Sequence, residues 1–233
     1  IAEEQDEYER LSTEIGKLIA SVASGLTSSQ RKLLTALCGT RSRLLGGARN
    51  KLTALQEVVS KIPPTDRKFS LFYCGEGKLR SDESGDTDEK RVIQAVSKVL
   101  SEEGWKTSRF TSAETPIDRK LIMNNFVNGD IDGLVSMKVL DEGVDVPDCS
   151  RAFILASTRN PRQYVQRRGR VLRKAPGKEV ADIYDFIILP IGESNASQAL
   201  RAAELERIED FVLLANNRLS VEKDVERLSL RES

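Results

Sequence analysis

Apolar residues in the first sixty positions recur at helical intervals. After a Pro-Pro pair they gather instead into short runs separated by amphipathic stretches. Tyr8, Leu11, Ile15, Leu18, Ile19 and Val22 fall on one helical face, and Gly25 is a plausible stop. Ser28 or Ser29 can cap a short second helix carrying Leu33, Leu34 and Leu37. A third run, Leu44, Leu45, Ala48, Leu52, Leu55, Val58 and Val59, predicts a further helix ending before Pro63-Pro64. That proline pair is the strongest boundary in the sequence.

Beyond it the period changes. Phe69 to Tyr73 reads as a strand followed by the loop Cys74-Gly75-Glu76-Gly77. Asp86 or Thr87 caps a helix running to Glu103 and stopping at Gly104. Thr107 to Thr111 is a strand. Thr115-Pro116, a cap followed by proline at the first helical position, opens a helix ending at Gly129. Further strands are predicted at Gly133 to Ser136, Ala152 to Ala156 and Val180 to Leu189. Asn160-Pro161 starts a helix between the last two, and one amphipathic helix is expected from about Asn195 to Asn217. Strands alternating with helices at this spacing predict a mostly parallel sheet with helices on both faces. Three segments are expected: helical residues 1–62, an α/β domain at 63–192, and a helical extension at 193–233.

A chain of 233 residues suffices for one large domain with appendages. The 36 Lys and Arg balance 36 Asp and Glu, but unevenly. From Arg151 to Lys178 there are nine basic residues and no acidic ones, whereas 82–89 is mostly acidic. A basic stretch of this kind is where phosphate or nucleic acid would bind, and otherwise is a solvated helix face. Three widely spaced cysteines, Cys38, Cys74 and Cys149, argue against a disulfide framework and for a reducing, cytoplasmic or nuclear compartment. They lack the spacing of a zinc site, so no metal ligands are expected on this chain. With no histidine, Ser-His-Asp chemistry and histidine bases are excluded. No apolar stretch reaches transmembrane length, so no membrane partner is expected. A start at Ile1 suggests a piece of a longer chain.

The chemistry concentrates in three places. In QYVQRRGRVLR, residues 163–173, Arg167, Arg170 and Arg173 recur every third position, roughly on one helical face. The guanidinium is permanently charged and forked, which suits phosphate oxygens. Gly169 among them signals close backbone approach or a helix end. In SMKVLDEGVDVPDCS, residues 136–150, Gly143 permits a tight turn and Asp145 can accept from a ribose hydroxyl; an ordinary surface turn is the plain alternative. In TSAETPIDRKLIMNNFVNGD, residues 111–130, hydroxylated residues precede a helix start whose N–H groups favour an anion, or simply cap the helix.

In order and spacing, residues of about 67–190 closely resemble the second RecA-like lobe of superfamily two helicases and translocases. FSLFYCGEG resembles motif IV, VSMKVLDEGVDVP motif V, and QYVQRRGRVLR motif VI. The EGxDxP and QRxGRxxR forms are most similar to the DNA-directed branch that includes XPB-type helicases and the motors of restriction and defence systems. RSRLLGGARNKLTALQEVV also resembles the segment leading into this lobe. The resemblance implies a RecA-like three-layer α/β/α domain, preceded by an α-helical segment and followed by a C-terminal helix.

It further implies ATP bound between two lobes, with Mg²⁺ held mainly by the first. Arg170 and Arg173 would be the catalytic arginines reaching the γ-phosphate. Gln166 would contact the phosphates, Arg167 would tie the motif to its neighbours, Gly143 would pass close to the nucleotide and Asp145 would hold the ribose. Gly75, Thr111, Ser112 and Lys138 would contact the nucleic-acid backbone. Met137 stands where many relatives carry a phosphate-binding Thr or Ser. Neither a GxxxxGK[ST] loop nor a DExx box occurs in the sequence, so the chain by itself is expected to be inactive. The expected function is the second motor lobe of an ATP-dependent DNA helicase or translocase. A non-catalytic RecA-like binding module and an RNA helicase lobe are the alternatives.

Overall fold

The computed structural model describes residues 2–21, 25–75, 88–137, 149–156, 169, 171, 173, 178–213 and 215–230. Three helices come first: α1 (Ala2–Ala20), α2 (Ser28–Gly46) and α3 (Asn50–Val59). Then follow β1 (Ser70–Tyr73), α4 (Asp88–Glu102), β2 (Thr107–Arg109), α5 (Pro116–Val127), β3 (Gly133–Ser136), β4 (Arg151–Ile154) and β5 (Asp182–Asp185), and finally α6 (Asn195–Val212) and α7 (Arg218–Leu230).

The described strands form one five-stranded sheet in the order β2-β3-β1-β4-β5, with every pairing parallel. Residues alternate between its faces. Phe72, Val135 and Phe153 pack with Leu55 and Val59 of α3 and with Val92, Val96 and Leu100 of α4. Leu71, Tyr73, Leu134 and Ile154 pack on the other face with Phe126 of α5 and with Val171. Because both faces are covered, β1 and β3 are buried at every position, which is why they read as apolar runs rather than alternating strands. This is the RecA-like three-layer α/β/α arrangement that the resemblance implies.

Aromatic rings tie three strands together. Phe72 and Phe153 stack at 4.5 Å, and Phe153 and Tyr184 at 4.8 Å. Trp105 meets Phe72 edge-on at 5.5 Å and donates from its indole nitrogen to the Val59 carbonyl at 3.3 Å. Arg67 lies 5.1 Å over the same indole. It donates to the Ile62 carbonyl at 3.1 Å and to the Glu103 carbonyl at 3.0 Å, holding the ends of α3 and α4 together. Gly133 opens β3 under Ser70. A methyl there would lie 2.7 Å from the Ser70 carbonyl oxygen and 2.9 Å from the Phe72 ring. Gly133→Ala is therefore expected to destabilise the domain by about 1–3 kcal/mol. Urea unfolding measures this, and an unchanged midpoint refutes it.

Two stretches differ from the sequence expectation. The second helix is not short: α2 runs to Gly46, and Gly46-Gly47 breaks the apolar run from Leu44 to Val59 into α2 and α3. The α3 helix covers the sheet, one of the two roles open to the helices before Pro63-Pro64, since Leu55, Val59 and Ile62 are core residues. The last helix ends at Val212 and, after a turn, a further helix, α7, runs to Leu230. The starts of the helices expected at Asp86 or Thr87 and at Asn160-Pro161 lie outside the described residues.

The first helix meets the segment that opens α6. Gln5 of α1 accepts from the Ile191 N–H at 3.0 Å and its amide nitrogen donates to the Ile191 carbonyl. Ser194 caps α6 by accepting from the Ser197 N–H at 3.1 Å, while both hydroxyls donate to Glu9 at 3.1 and 3.2 Å. No helix among the described residues is long and apolar enough to cross a membrane.

Candidate functional site

The segments that carry the motifs follow the carboxyl ends of the strands: Gly75 follows β1, Thr111 follows β2 and Met137 follows β3. From β1 the chain departs toward β2 on one side, and from β4 toward β5 on the other. The crevice between β1 and β4 is thus the topological switch point, where ligands bind in open α/β sheets. The N–H groups of Leu155 and Ala156 both donate to the Tyr73 carbonyl, at 2.9 and 3.1 Å, and Cys74 N–H donates to the Ser136 carbonyl at 2.8 Å. Gly75 follows immediately. A methyl on it would meet the Ala156 Cα at 3.1 Å and the Gly46 Cα at 3.4 Å. The close approach that glycine signals at this position is thus made by the chain's own backbone, at the end of β4 and the end of α2.

At the end of β2, Thr111 donates both its N–H and its hydroxyl to the Glu114 carboxylate, at 2.5 and 2.7 Å. The Ala113 N–H donates to the Thr111 hydroxyl at 3.2 Å, and Arg119 donates to the Thr111 carbonyl at 2.8 Å. Thr115 caps α5 through the Asp118 N–H at 3.2 Å. The Thr111 N–H and hydroxyl are therefore engaged by the chain's own Glu114, which the sequence reading did not single out. Its only sequence signal is a carboxylate three residues after a threonine. Ser112, next to Thr111, is exposed.

At the end of β3, Met137 is 5% exposed and belongs to the core on the α3 and α4 side. Its side chain thus fills the interior. In the arginine segment, Gly169 and Val171 are helical. Val171 is fully buried against the sheet, while Arg173, two positions on, is exposed. The Lys178 ammonium donates to the carbonyls of Val171 and Arg173, the latter at 3.0 Å, closing the helix end with a cation. A methyl on Gly169 would meet nothing within 4 Å. Gln166, Arg167, Arg170, Gly143, Asp145 and Lys138 lie outside the described residues.

A buried polar cluster lies beyond the ends of β4 and β5, and the sequence reading missed it. Lys51 of α3, 4% exposed, donates to the Leu155 carbonyl at 2.6 Å, just after β4. Asp185 ends β5. Arg207 of α6 bridges Asp185 at 3.2 Å and Glu204 at 3.1 Å, and Glu204 accepts from the Ile188 N–H at 3.2 Å. Burial pushes the Lys51 ammonium down to about 8, with Glu204 opposing. Burial also pushes the Asp185 carboxyl up to about 6, with Arg207 opposing. The missed signal was positional: Lys51 lies four and eight residues before Leu55 and Val59, inside the buried stripe.

Residues 87–175 match the model of the helicase conserved C-terminal domain. Several curated proteins are similar over part of the chain. A DNA 3'-5' translocase XPB2 of Sulfurisphaera tokodaii is 42% identical over 57 residues, covering 24% of this chain and 13% of that protein. A putative ATP-dependent helicase IRC3 of Saccharomyces cerevisiae is 29% identical over 99 residues, 42% of this chain and 14% of the relative. An ATP-dependent RNA helicase DBP2 of Ajellomyces capsulatus is 27% identical over 127 residues, 54% of this chain and 23% of the relative. The chain therefore spans a quarter or less of the length of these relatives. Among solved structures, the C-terminal domain of the DEAD-box protein Dbp5 is similar with a TM-score of 0.49 and 18% identity, over 78% of this chain and 93% of that one.

Proposed function

We propose that this chain, which carries a helicase C-terminal domain of superfamily two, is the second motor lobe of an ATP-dependent DNA helicase or translocase. The observation that carries the reading is the family match over 87–175, which takes in both EGVDVP and the arginine helix. In this reading the lobe occupies 63–192, α3 from the preceding segment is one of its covering helices, and 193–233 is an extension. Arg170 and Arg173 reach the γ-phosphate of ATP held by a first lobe. There they neutralise charge that develops as the phosphoryl group transfers. Gln166 and Arg167 order the phosphates and the motif, while Gly143 and Asp145 face the nucleotide and its ribose. Gly75, Thr111, Ser112 and Lys138 follow the nucleic-acid backbone. For Thr111 to do so, its Glu114 contacts must open. In this reading Mg²⁺ is held mainly by the first lobe.

DNA is preferred over RNA on the local identity to the DNA translocase, 42% against 27% for the RNA helicase. The test is ATP turnover by the full-length protein with DNA, with RNA and with neither, beside the 233-residue chain alone. The expected outcome is DNA-stimulated turnover in the full-length protein and none in the isolated chain. Turnover indifferent to nucleic acid, or turnover by the isolated chain that disappears in Arg170→Ala, refutes the reading. Stronger stimulation by RNA moves it to the RNA helicases.

A further inference from the structure

Between Glu14 and Glu57 the chain has no acidic residue and seven Lys and Arg. A share proportional to the 36 acidic residues of the chain would place about six there. The centre of this stretch is α2, in which only Gly46 is buried among 19 residues. Coverage of the sheet therefore does not account for the helix. Its inner side rests on α1, where Arg41 lies 5.7 Å over the Tyr8 ring and donates to the Ser12 hydroxyl at 3.1 Å. On its outer side Ser28, Lys32, Thr35, Gly39, Arg43 and Gly46 follow at steps of three and four, a single helical stripe, with Arg31 beside Lys32. Among the described residues none of Arg31, Lys32 and Arg43 pairs with a carboxylate.

The stripe has a direction. It starts exposed at Ser28 and becomes buried at Gly46, whose Cα is the atom that a methyl on Gly75 would meet at 3.4 Å. The outer face of α2 thus runs, over roughly 28 Å, into the loop after β1. Small and hydroxylated residues between the cations leave room for a strand to lie close. We propose that this face of α2 binds the phosphodiester backbone of nucleic acid and extends the track beyond the loop after β1. The proposal rests on the reading of the chain as a nucleic-acid motor lobe and assigns the helices before the sheet a part in it.

Nucleic-acid binding by the full-length protein tests this, using fluorescein-labelled duplex DNA, single-stranded DNA and RNA between about 50 and 200 mM salt. The variant is R31Q/K32Q/R43Q, three exposed or half-exposed helix positions, checked by its thermal melt. Three lost phosphate contacts should reduce the slope of log K against log salt by about 2 to 3 and weaken binding about tenfold or more, with nucleic-acid-free ATPase unchanged. The nucleic acid whose slope changes most identifies the backbone held. Equal slope and affinity in the variant, with stimulated turnover intact in the parent, overturn this proposal alone. Tight binding of the parent to phosphatidylserine vesicles that the variant loses, with nucleic-acid affinity unmoved, also overturns it. A parent that binds no nucleic acid overturns the motor reading together with it.

Discussion

In the full-length protein, Arg170→Ala and Arg173→Ala are each expected to lower DNA-stimulated ATP hydrolysis by about 10³-fold or more, with apparent ATP affinity changed far less. The expectation follows from what an arginine does to a dissociative phosphoryl transfer. Charge builds on the transferring group only near the transition state, so a guanidinium placed there stabilises that state more than bound ATP. Val171 is fully buried against the sheet and Arg173, two positions on, is exposed. The Lys178 ammonium then closes the helix end. A lysine should not restore the rate, because a point charge on a flexible stem does not reproduce the planar fork. The measurement is kcat at saturating DNA for Arg170→Ala, Arg170→Lys and Arg173→Ala, beside thermal melts matching the parent. Losses below about tenfold in both alanine variants would remove the arginines from the chemistry and leave a non-catalytic binding module.

The fold was legible where local signals and packing agree. Thr115-Pro116 marked the start of α5 correctly because cap and proline chemistry are set within one turn. The strands at Ser70–Tyr73 and Gly133–Ser136 stood out because both faces of the sheet are covered, so apolar residues run without a break. The α2–α3 break was illegible for the opposite reason. Leu44, Leu45 and Ala48 sustain the helical period through Gly46, and the buried approach of Gly46 to Gly75, 29 residues away in sequence, is a tertiary contact that no local pattern signals. Glu114 and Lys51 went unnoticed because a lone carboxylate in a polar loop and a lone lysine in a helix carry no local signal of a partner. Only the tertiary structure places Thr111 and Leu155 against them. The same limit applies to Met137. As a departure from a motif it raised a question, and its burial behind β3 shows that it serves the core.

Arg207→Met is expected to destabilise the domain by about 3–5 kcal/mol near neutral pH, and the loss should shrink as the solution is acidified. Arg207 is the cation between two buried carboxylates, Asp185 and Glu204. Removing it leaves Asp185 and Glu204, whose side chains are only 14% and 8% exposed, with Lys51 as the remaining cation of the cluster. The pH dependence follows from Asp185. Its folded value of about 6 lies above the ordinary 3.8, so between those values the folded state holds a proton that the unfolded chain has released. Stability from this group is present below about 4 and falls as pH rises toward 6. Without Arg207 the carboxyl is pushed higher still, and the neutral form, which needs no cation, prevails over a wider range. Urea unfolding at pH 5 and pH 7.5 should thus show a clearly smaller deficit at the lower pH. Lys51 gives the opposite slope. Burial lowers it to about 8 from 10.5, so the folded state releases its proton first and stability rises with pH between those values. Lys51→Met should abolish that alkaline rise. A pH-independent deficit in Arg207→Met, or an alkaline rise that survives Lys51→Met, would mean that these four side chains are not the buried charge cluster described.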